Sequence, residues 1–218
     1  MRGVTSFRIA AAHLAAADPD FAALIGRVGR CGLRSDRCSP YEALVRAIAH
    51  QQLHGAAARA ITKRMVALFP GEVFPAPTSL LGVDPVLLRA CGFSAAKIAT
   101  ILDIAEAAAA GIVPTRRAAL RLSDADLIER LMSLRGVGRW TVEMLLMFTL
   151  GRPDVLPVDD FGVREGYRRL KRLDAQPRPR VLAELGEAWA PYRSTAAWYL
   201  WRAAEEGRGG GSALTGKA

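Results

Sequence analysis

Apolar residues recur at intervals of three and four along most of the chain, and apolar-polar alternation bounded by turn residues is missing. That spacing follows the 3.6-residue turn of a helix and not the two-residue pleat of a strand, so the expected fold class is all-α. Ser39 can cap a helix, Pro40 suits its first position, and Leu44, Val45 and Ile48 form an apolar stripe. A second helix is expected after His54-Gly55, through Ile61, Met65 and Leu68, stopping before Pro70-Gly71. A third starts near Lys97 and places Ile98, Ile101, Leu102 and Ala105 on its buried side. Ser123 with Asp126 reads as a cap for a helix through Leu127, Ile128 and Leu131, and Arg139 or Trp140 starts another that runs to Leu150-Gly151. Beyond a loop with two prolines, Asp159-Asp160 stand at the start of a helix through Val163, Tyr167 and Leu170, and a last helix follows Pro191.

With 218 residues, 51% of them hydrophobic, the chain can bury one substantial core or two small ones. No run of 18 uncharged apolar residues occurs, so no membrane span is expected. The Ala-rich stretch Ile9 to Ala17, interrupted by His13 and ended by Asp18, is expected to belong to the fold and not to a leader. The segment 206–218, rich in Gly, lacks the apolar content to pack and is expected to be disordered. Three cysteines, Cys31, Cys38 and Cys91, without a C-x-x-C pair, imply neither a disulfide framework nor a cysteine-rich metal cluster; a reducing, cytoplasmic setting fits. The formal net charge of +9 favours encounter with polyanions, although anionic membrane surfaces would be attracted as well.

Gly136-Val137-Gly138 permits a tight turn between two helices, with a backbone that can approach a ligand closely. The amide groups and positive dipole end of the following helix, with Arg135 and Arg139 beside them, make a phosphate site. A bare Gly-x-Gly is more often an ordinary helix connection. Here it is followed by Trp140-Thr141 and by Pro157-Val158-Asp159-Asp160-Phe161-Gly162-Val163-Arg164.

Together these stretches resemble the helix-hairpin-helix, Gly/Pro-rich loop and Asp signature of the HhH-GPD DNA glycosylase superfamily. His50-Gln51-Gln52-Leu53-His54 and the run from Pro191 to Trp201 look like its 3-methyladenine DNA glycosylase II (AlkA/Mag-like) branch. The resemblance spans roughly residues 10 to 205. It implies a single domain over 1–205 built from two helical subdomains with a DNA-binding cleft, one from about 40–150 and one from 1–39 plus 151–205. It further implies base-excision repair of double-stranded DNA containing alkylated purines, cytoplasmic and nucleoid-associated if the source is prokaryotic. A monomer is expected, because one flipped nucleotide needs no symmetry partner.

Cleaving a purine from deoxyribose leaves an oxocarbenium-like sugar, which a fixed carboxylate would stabilise. Asp159 and Asp160 both stand at a helix start, where most aspartates merely cap. The resemblance places the catalytic role on Asp160 and the cap on Asp159. Superfamily members that also cut the strand use a lysine where this chain has Trp140, so simple hydrolysis is implied. The four-cysteine cluster of the iron–sulfur members is missing; no iron–sulfur cluster and no catalytic cofactor are expected.

An electron-poor alkylated base would be attracted to an aromatic face. Trp201 matches the pocket tryptophan of the branch, with Trp140 and Tyr192 as further pocket candidates. DNA contacts are implied for Gly136, Val137, Gly138, Arg139 and Thr141 at the hairpin, and for Gln52 and His54 as wedge candidates that fill the gap of a flipped base. A structural Na+ or K+ held by the backbone carbonyls of Met132, Leu134 and Val137 is also implied. Arg168, Arg169, Lys171 and Arg172 either track phosphates or form a solvated helix face. Competing readings are a non-catalytic helix-hairpin-helix DNA-binding protein, a glycosylase for another lesion, and a zinc hydrolase. The last would use His50 and His54, whose i, i+4 spacing suits zinc but which lack a third ligand.

Overall fold

Asp18, Ser39, Asp84, Ser94, Thr115, Ser123 and Asp160 each stand just before a helix, and each side chain accepts an N–H from the first turn. Such caps satisfy amide groups that have no partner inside the helix. The computed structural model describes residues 2–53 and 55–206, with side chains from Phe7 onward. His54 and the segment 207–218 lie outside the described residues, as do the expectations attached to them.

The helices in chain order are α1 (Arg2–Ala17), α2 (Pro19–Val28), α3 (Pro40–His50), α4 (Gly55–Ala67), α5 (Pro77–Leu81), α6 (Pro85–Ala90), α7 (Ala95–Ala109), α8 (Arg116–Ala119) and α9 (Asp124–Met132). Then come α10 (Arg139–Met144), which continues as a π-helical turn (Leu145–Leu150), α11 (Phe161–Leu170), α12 (Pro179–Leu185), a 3₁₀ turn (Gly186–Trp189) and α13 (Arg193–Glu206). Among the described residues there is no β-strand, and no helix is long and apolar enough to cross a membrane. The fold is all-α. It divides into two units, one formed by residues 35–151 and the other by residues 1–34 with 152–218.

In the middle unit α3 turns Leu44, Val45 and Ile48 inward, as its sequence stripe requires. The buried arc of α7 is broader than the sequence indicates: Thr100 and Ile104 are inside, while Leu102 is only half-buried at its edge. The reason is that α7 packs against both α3 and α5, so more than one narrow stripe must be covered. A single α-helix was expected from Arg139 to Leu150, but its second half is π-helical and ends at Gly151, which is left-handed at φ +69°. Carbonyls in the last turn of a helix lack intrahelical partners, and two of them here are taken by other segments. The Asp36 N–H donates to Phe148 O at 2.8 Å, and the Arg116 guanidinium donates to Thr149 O.

In the terminal unit α11 and α13 lie against each other so closely that a Cβ at Gly166 would fall inside the Leu200 carbonyl. Ala196, Ala197, Tyr199 and Leu200 fill the buried side of α13, and Leu14, Phe21 and Leu24 bring α1 and α2 onto the same core. Helix α13 runs through Glu206, which pairs with Arg27 at 3.3 Å, so Glu206 belongs to the fold and not to the expected tail. The three cysteines form no disulfide.

Candidate active site and hairpin

A turn closed by the Asp160 N–H donating to Pro157 O, at 3.0 Å, delivers the chain to the start of α11. Asp160 is itself the N-cap: its Oδ1 accepts the Val163 N–H at 2.8 Å. The expectation that Asp159 caps and Asp160 is spared for chemistry is therefore corrected. Asp159 is exposed in the preceding turn, because Asp160 is the last residue with extended geometry before the helix, and only from there does a carboxylate reach the third amide. Trp201 of α13 donates its indole Nε1–H to the same Oδ1 at 2.8 Å. Two donors on one oxygen fix the plane and direction of the carboxylate.

Gly162 makes this contact sterically possible. A Cβ there would stand 2.8 Å from Trp201 Cδ1 and 3.1 Å from Asp160 Oδ1. Phe161, the first residue of α11, is 55% exposed beside the aspartate. Both were quoted in the sequence motif without a role, although an apolar aromatic and a glycine in the first turn of a helix are both locally disfavoured choices.

The loop leading to Asp160 is tied to the start of the helix that carries Trp201. Arg193 grips Asp154 with two guanidinium bonds, Nε to Oδ1 at 2.8 Å and Nη2 to Oδ2 at 2.9 Å. Ser194, fully buried, donates to Arg152 O at 2.8 Å and accepts from the Val155 N–H at 3.0 Å. Burial of the Asp154 carboxyl would raise its pKa, but the bonds from Arg193 outweigh it and the net shift is downward. These residues were quoted in the sequence motif, yet their pairing partner, Asp154, lies 39 positions earlier and carries no local signature.

Tyr192 is placed elsewhere. It precedes α13 and lies nine positions before Trp201, about half a turn around the helix and roughly 13 Å along it. Its ring packs edge-on against His13 at 5.3 Å. Trp198 packs against Gly32 and under the Arg202 guanidinium, and Tyr199 donates to Gly29 O at 2.9 Å, so both serve the core of this unit. The basic run is bound up in ion pairs. Arg168 and Arg169 both donate to Glu165, and Lys171 donates to Asp18 and Asp20 at 2.7 and 2.6 Å. The Arg168, Arg169 and Gln176 donors hold the buried Glu165 carboxyl far below the usual carboxylate range. Glu165 thus holds Arg168 and Arg169 within α11, while Lys171 ties the end of α11 to the start of α2.

The hairpin belongs to the middle unit. Helix α9 ends at Met132, the Val137 N–H donates to Leu134 O at 3.2 Å, and α10 begins after Gly138. Gly136 sits at φ +74°, where a side chain is strained, and a Cβ there would meet Thr100 at 3.0 Å. Gly138 supplies no side chain to cap α10, whose first residues are exposed. Arg139 is anchored by the buried Glu143 at 3.0 Å, and Trp140 is 47% exposed. Two residues named for DNA contact face inward: Val137 and Thr141 are 5% and 6% exposed and form the packed underside of the turn. Val137 lies in the turn and Thr141 in the first turn of α10, and both side chains pack inward.

The carbonyls of Met132, Leu134 and Val137 follow one another at the C-terminal end of α9, where helical oxygens lack intrahelical partners. Leu134 O spends one lone pair on the Val137 N–H and keeps a second acceptor position. Neutral main-chain oxygens are the donors that a hard monovalent cation takes. Among the described residues no group of three His, Cys, Asp or Glu could hold a metal ion. His50 turns its Nδ1 to Arg46 O at 2.8 Å, which leaves the zinc reading without support.

Gln52 is exposed and left-handed, at φ +57°, in the turn that follows α3. It is one of two described non-glycine residues with positive φ. Such a conformation in a solvent-facing loop marks a backbone held by its surroundings.

The chain thus carries a glycine hairpin between two helices in its middle unit and, in its terminal unit, an aspartate at a helix start bound by an indole. The sequence profile described as "HhH-GPD superfamily base excision DNA repair protein" matches residues 45–191, and the chain belongs to that superfamily. It is 46% identical over 201 residues to DNA-3-methyladenine glycosylase 1 of Schizosaccharomyces pombe, covering 91% of this chain and 88% of that one. It is 34% identical over 200 residues to the alkylbase DNA glycosidase-like protein mag2 of the same organism, covering 91% and 94%. The solved structure of S. pombe 3-methyladenine DNA glycosylase (Mag1) in complex with abasic DNA aligns with a TM-score of 0.79, covering 88% of this chain and 95% of that chain.

Proposed function

We propose that the protein is a monofunctional DNA glycosylase of base-excision repair that hydrolyses the N-glycosidic bond of alkylated purines such as 3-methyladenine in duplex DNA. The observation that carries the reading is the Asp160 carboxylate, held at a helix start by the Val163 N–H and the Trp201 indole on one oxygen. The family membership and the names of its relatives support the same reading.

The hairpin contributes affinity. Gly136, Gly138 and the exposed start of α10 let the backbone approach a phosphate, Arg139 adds charge, and Val137 and Thr141 hold the turn in shape from below. A Na+ or K+ on the carbonyls of Met132, Leu134 and Val137 supplies further positive charge when bound.

Purines alkylated at N3 or N7 are cationic, so the base departs as a neutral molecule. The C1′–N bond breaks, both electrons leave with the base, and the sugar is left as an oxocarbenium ion. Asp160 places a fixed negative charge against that cation; water then adds at C1′ and loses a proton, leaving an abasic site. No lysine stands at position 140 to form a Schiff base, so the strand stays intact. Within the terminal unit, Trp201 and the exposed Phe161 ring offer aromatic faces suited to an electron-poor base.

The test compares release of methylated purines from alkylated duplex DNA by wild-type protein and Asp160→Asn, with DNA affinity measured for both. Release lost with affinity kept is expected. Equal release by both variants would overturn the assignment of Asp160, and binding without release by the wild type would return the protein to a non-catalytic module or another lesion.

A further inference from the structure

Lys97 stands where local rules disfavour a cation. It is the third residue of α7, near the positive end of the helix dipole, and its own N–H is already taken by the Ser94 cap at 3.3 Å. Partial burial also weighs against its charge and lowers its pKa. The ammonium is directed at main-chain oxygens of another segment: it donates to Ala49 O at 3.0 Å and to Gln51 O at 2.6 Å. These are the carbonyls at the end of α3, where the dipole is negative.

Immediately after them comes Gln52 in its left-handed conformation, with Leu53, 40% exposed, beyond it. The Gln51 side-chain amide donates to Gly136 O at 3.3 Å, joining this loop to the hairpin. One turn further along α7, Thr100 is the side chain against which Gly136 rests, with a Cβ at Gly136 meeting it at 3.0 and 3.1 Å. Lys97 and Thr100 are three residues apart and share a face of α7. One face of one helix therefore supports both the exposed loop and the hairpin.

We propose that Lys97 is a positioning residue for base flipping: it clamps the Gln51–Leu53 loop beside the hairpin so that Gln52 meets the duplex at a set distance from the phosphate contacts. This rests on the glycosylase reading. A side chain that replaces a flipped base must be held rigidly, because the stacked duplex resists it and a loose loop lowers the fraction of productive encounters. The two carbonyl contacts occupy the ammonium, which distinguishes this role from that of a phosphate-binding lysine.

Lys97→Met keeps the stem and removes the donors, while Lys97→Arg keeps a charged donor. In the protein without DNA, hydrogen exchange at residues 50–53 and 136–138 is expected to rise by about tenfold or more in Lys97→Met and to return most of the way in Lys97→Arg. With duplex DNA carrying 2-aminopurine beside a methylated purine, the fluorescence rise on flipping and the single-turnover release rate are expected to fall by roughly 10- to 100-fold. Affinity for undamaged duplex and its salt dependence stay within about twofold. Unchanged exchange in both segments overturns the proposal, as does a loss of release matched by an equal loss of affinity and a shallower salt dependence. Should Lys97→Met not fold, Gln51→Ala, which cuts the tie to Gly136 alone, must show the same selective loss of flipping. A wild-type protein that releases no alkylated base would defeat the glycosylase reading, while the exchange comparison and the 2-aminopurine response would still decide the role of Lys97.

Discussion

Trp201 donates its indole N–H to Oδ1 of Asp160 at 2.8 Å, across 41 positions of sequence. The bond makes an aromatic side chain of α13 the partner that aims the carboxylate capping α11. Trp201→Phe keeps a ring and removes the donor. A hydrogen bond to a charged group contributes about 1.5–3 kcal/mol, which corresponds to about a 10- to 100-fold fall in the rate of base release. Single-turnover kinetics and DNA affinity measured side by side test this; a fall in affinity with an unchanged rate would mean that Trp201 serves binding alone.

Gly162→Ala separates geometry at the site from stability of the fold. The added methyl would sit 2.8 Å from Trp201 Cδ1 and must push the indole away from Asp160. Alanine is otherwise the better helix former, by about 1 kcal/mol in a helix interior, so the melting temperature is expected to move by only a few degrees. Base release should fall at least as far as in Trp201→Phe. A variant that releases base at the wild-type rate would show that the indole contact does not matter to the reaction.

Acid should unfold the terminal unit through two carboxylates. Glu165 is held far below the ordinary range by Arg168, Arg169 and Gln176, and Asp154 is lowered on balance because Arg193 overcomes the opposing effect of burial. A carboxylate whose folded pKa is depressed stabilises the fold above its unfolded pKa, about 4, and loses that contribution as pH falls through the folded value. Thermal melting followed from pH 7 down to about pH 2 is expected to be level at first and to decline below about pH 4. Glu165→Gln should melt lower at neutral pH and decline less steeply. An acid profile identical to wild type would remove Glu165 from this account.

The helices were legible because their signals are local. Ser39 and Ser123 carry caps within three residues, and Leu44, Val45 and Ile48 show the period of a buried face. The π-helical turn before Gly151 was not, since no local residue pattern sets its ladder apart from that of the α-helix expected over Arg139 to Leu150. The basic run after Tyr167 was read as either a phosphate track or a solvated face. Counting charges cannot show that Glu165 pairs with Arg168 and Arg169, or Asp18 and Asp20 with Lys171.

The sequence by itself determined the all-α class, the hairpin glycines and the aspartate at the start of α11, because propensity, capping and turn chemistry act over a few residues. Tertiary structure alone decided which aromatic reaches that aspartate and which hairpin residues face inward. Those outcomes depend on distances between residues as far apart as Asp160 and Trp201, or Lys97 and Gln51. Such distances are set by how helices pack against one another, and no window of sequence contains them.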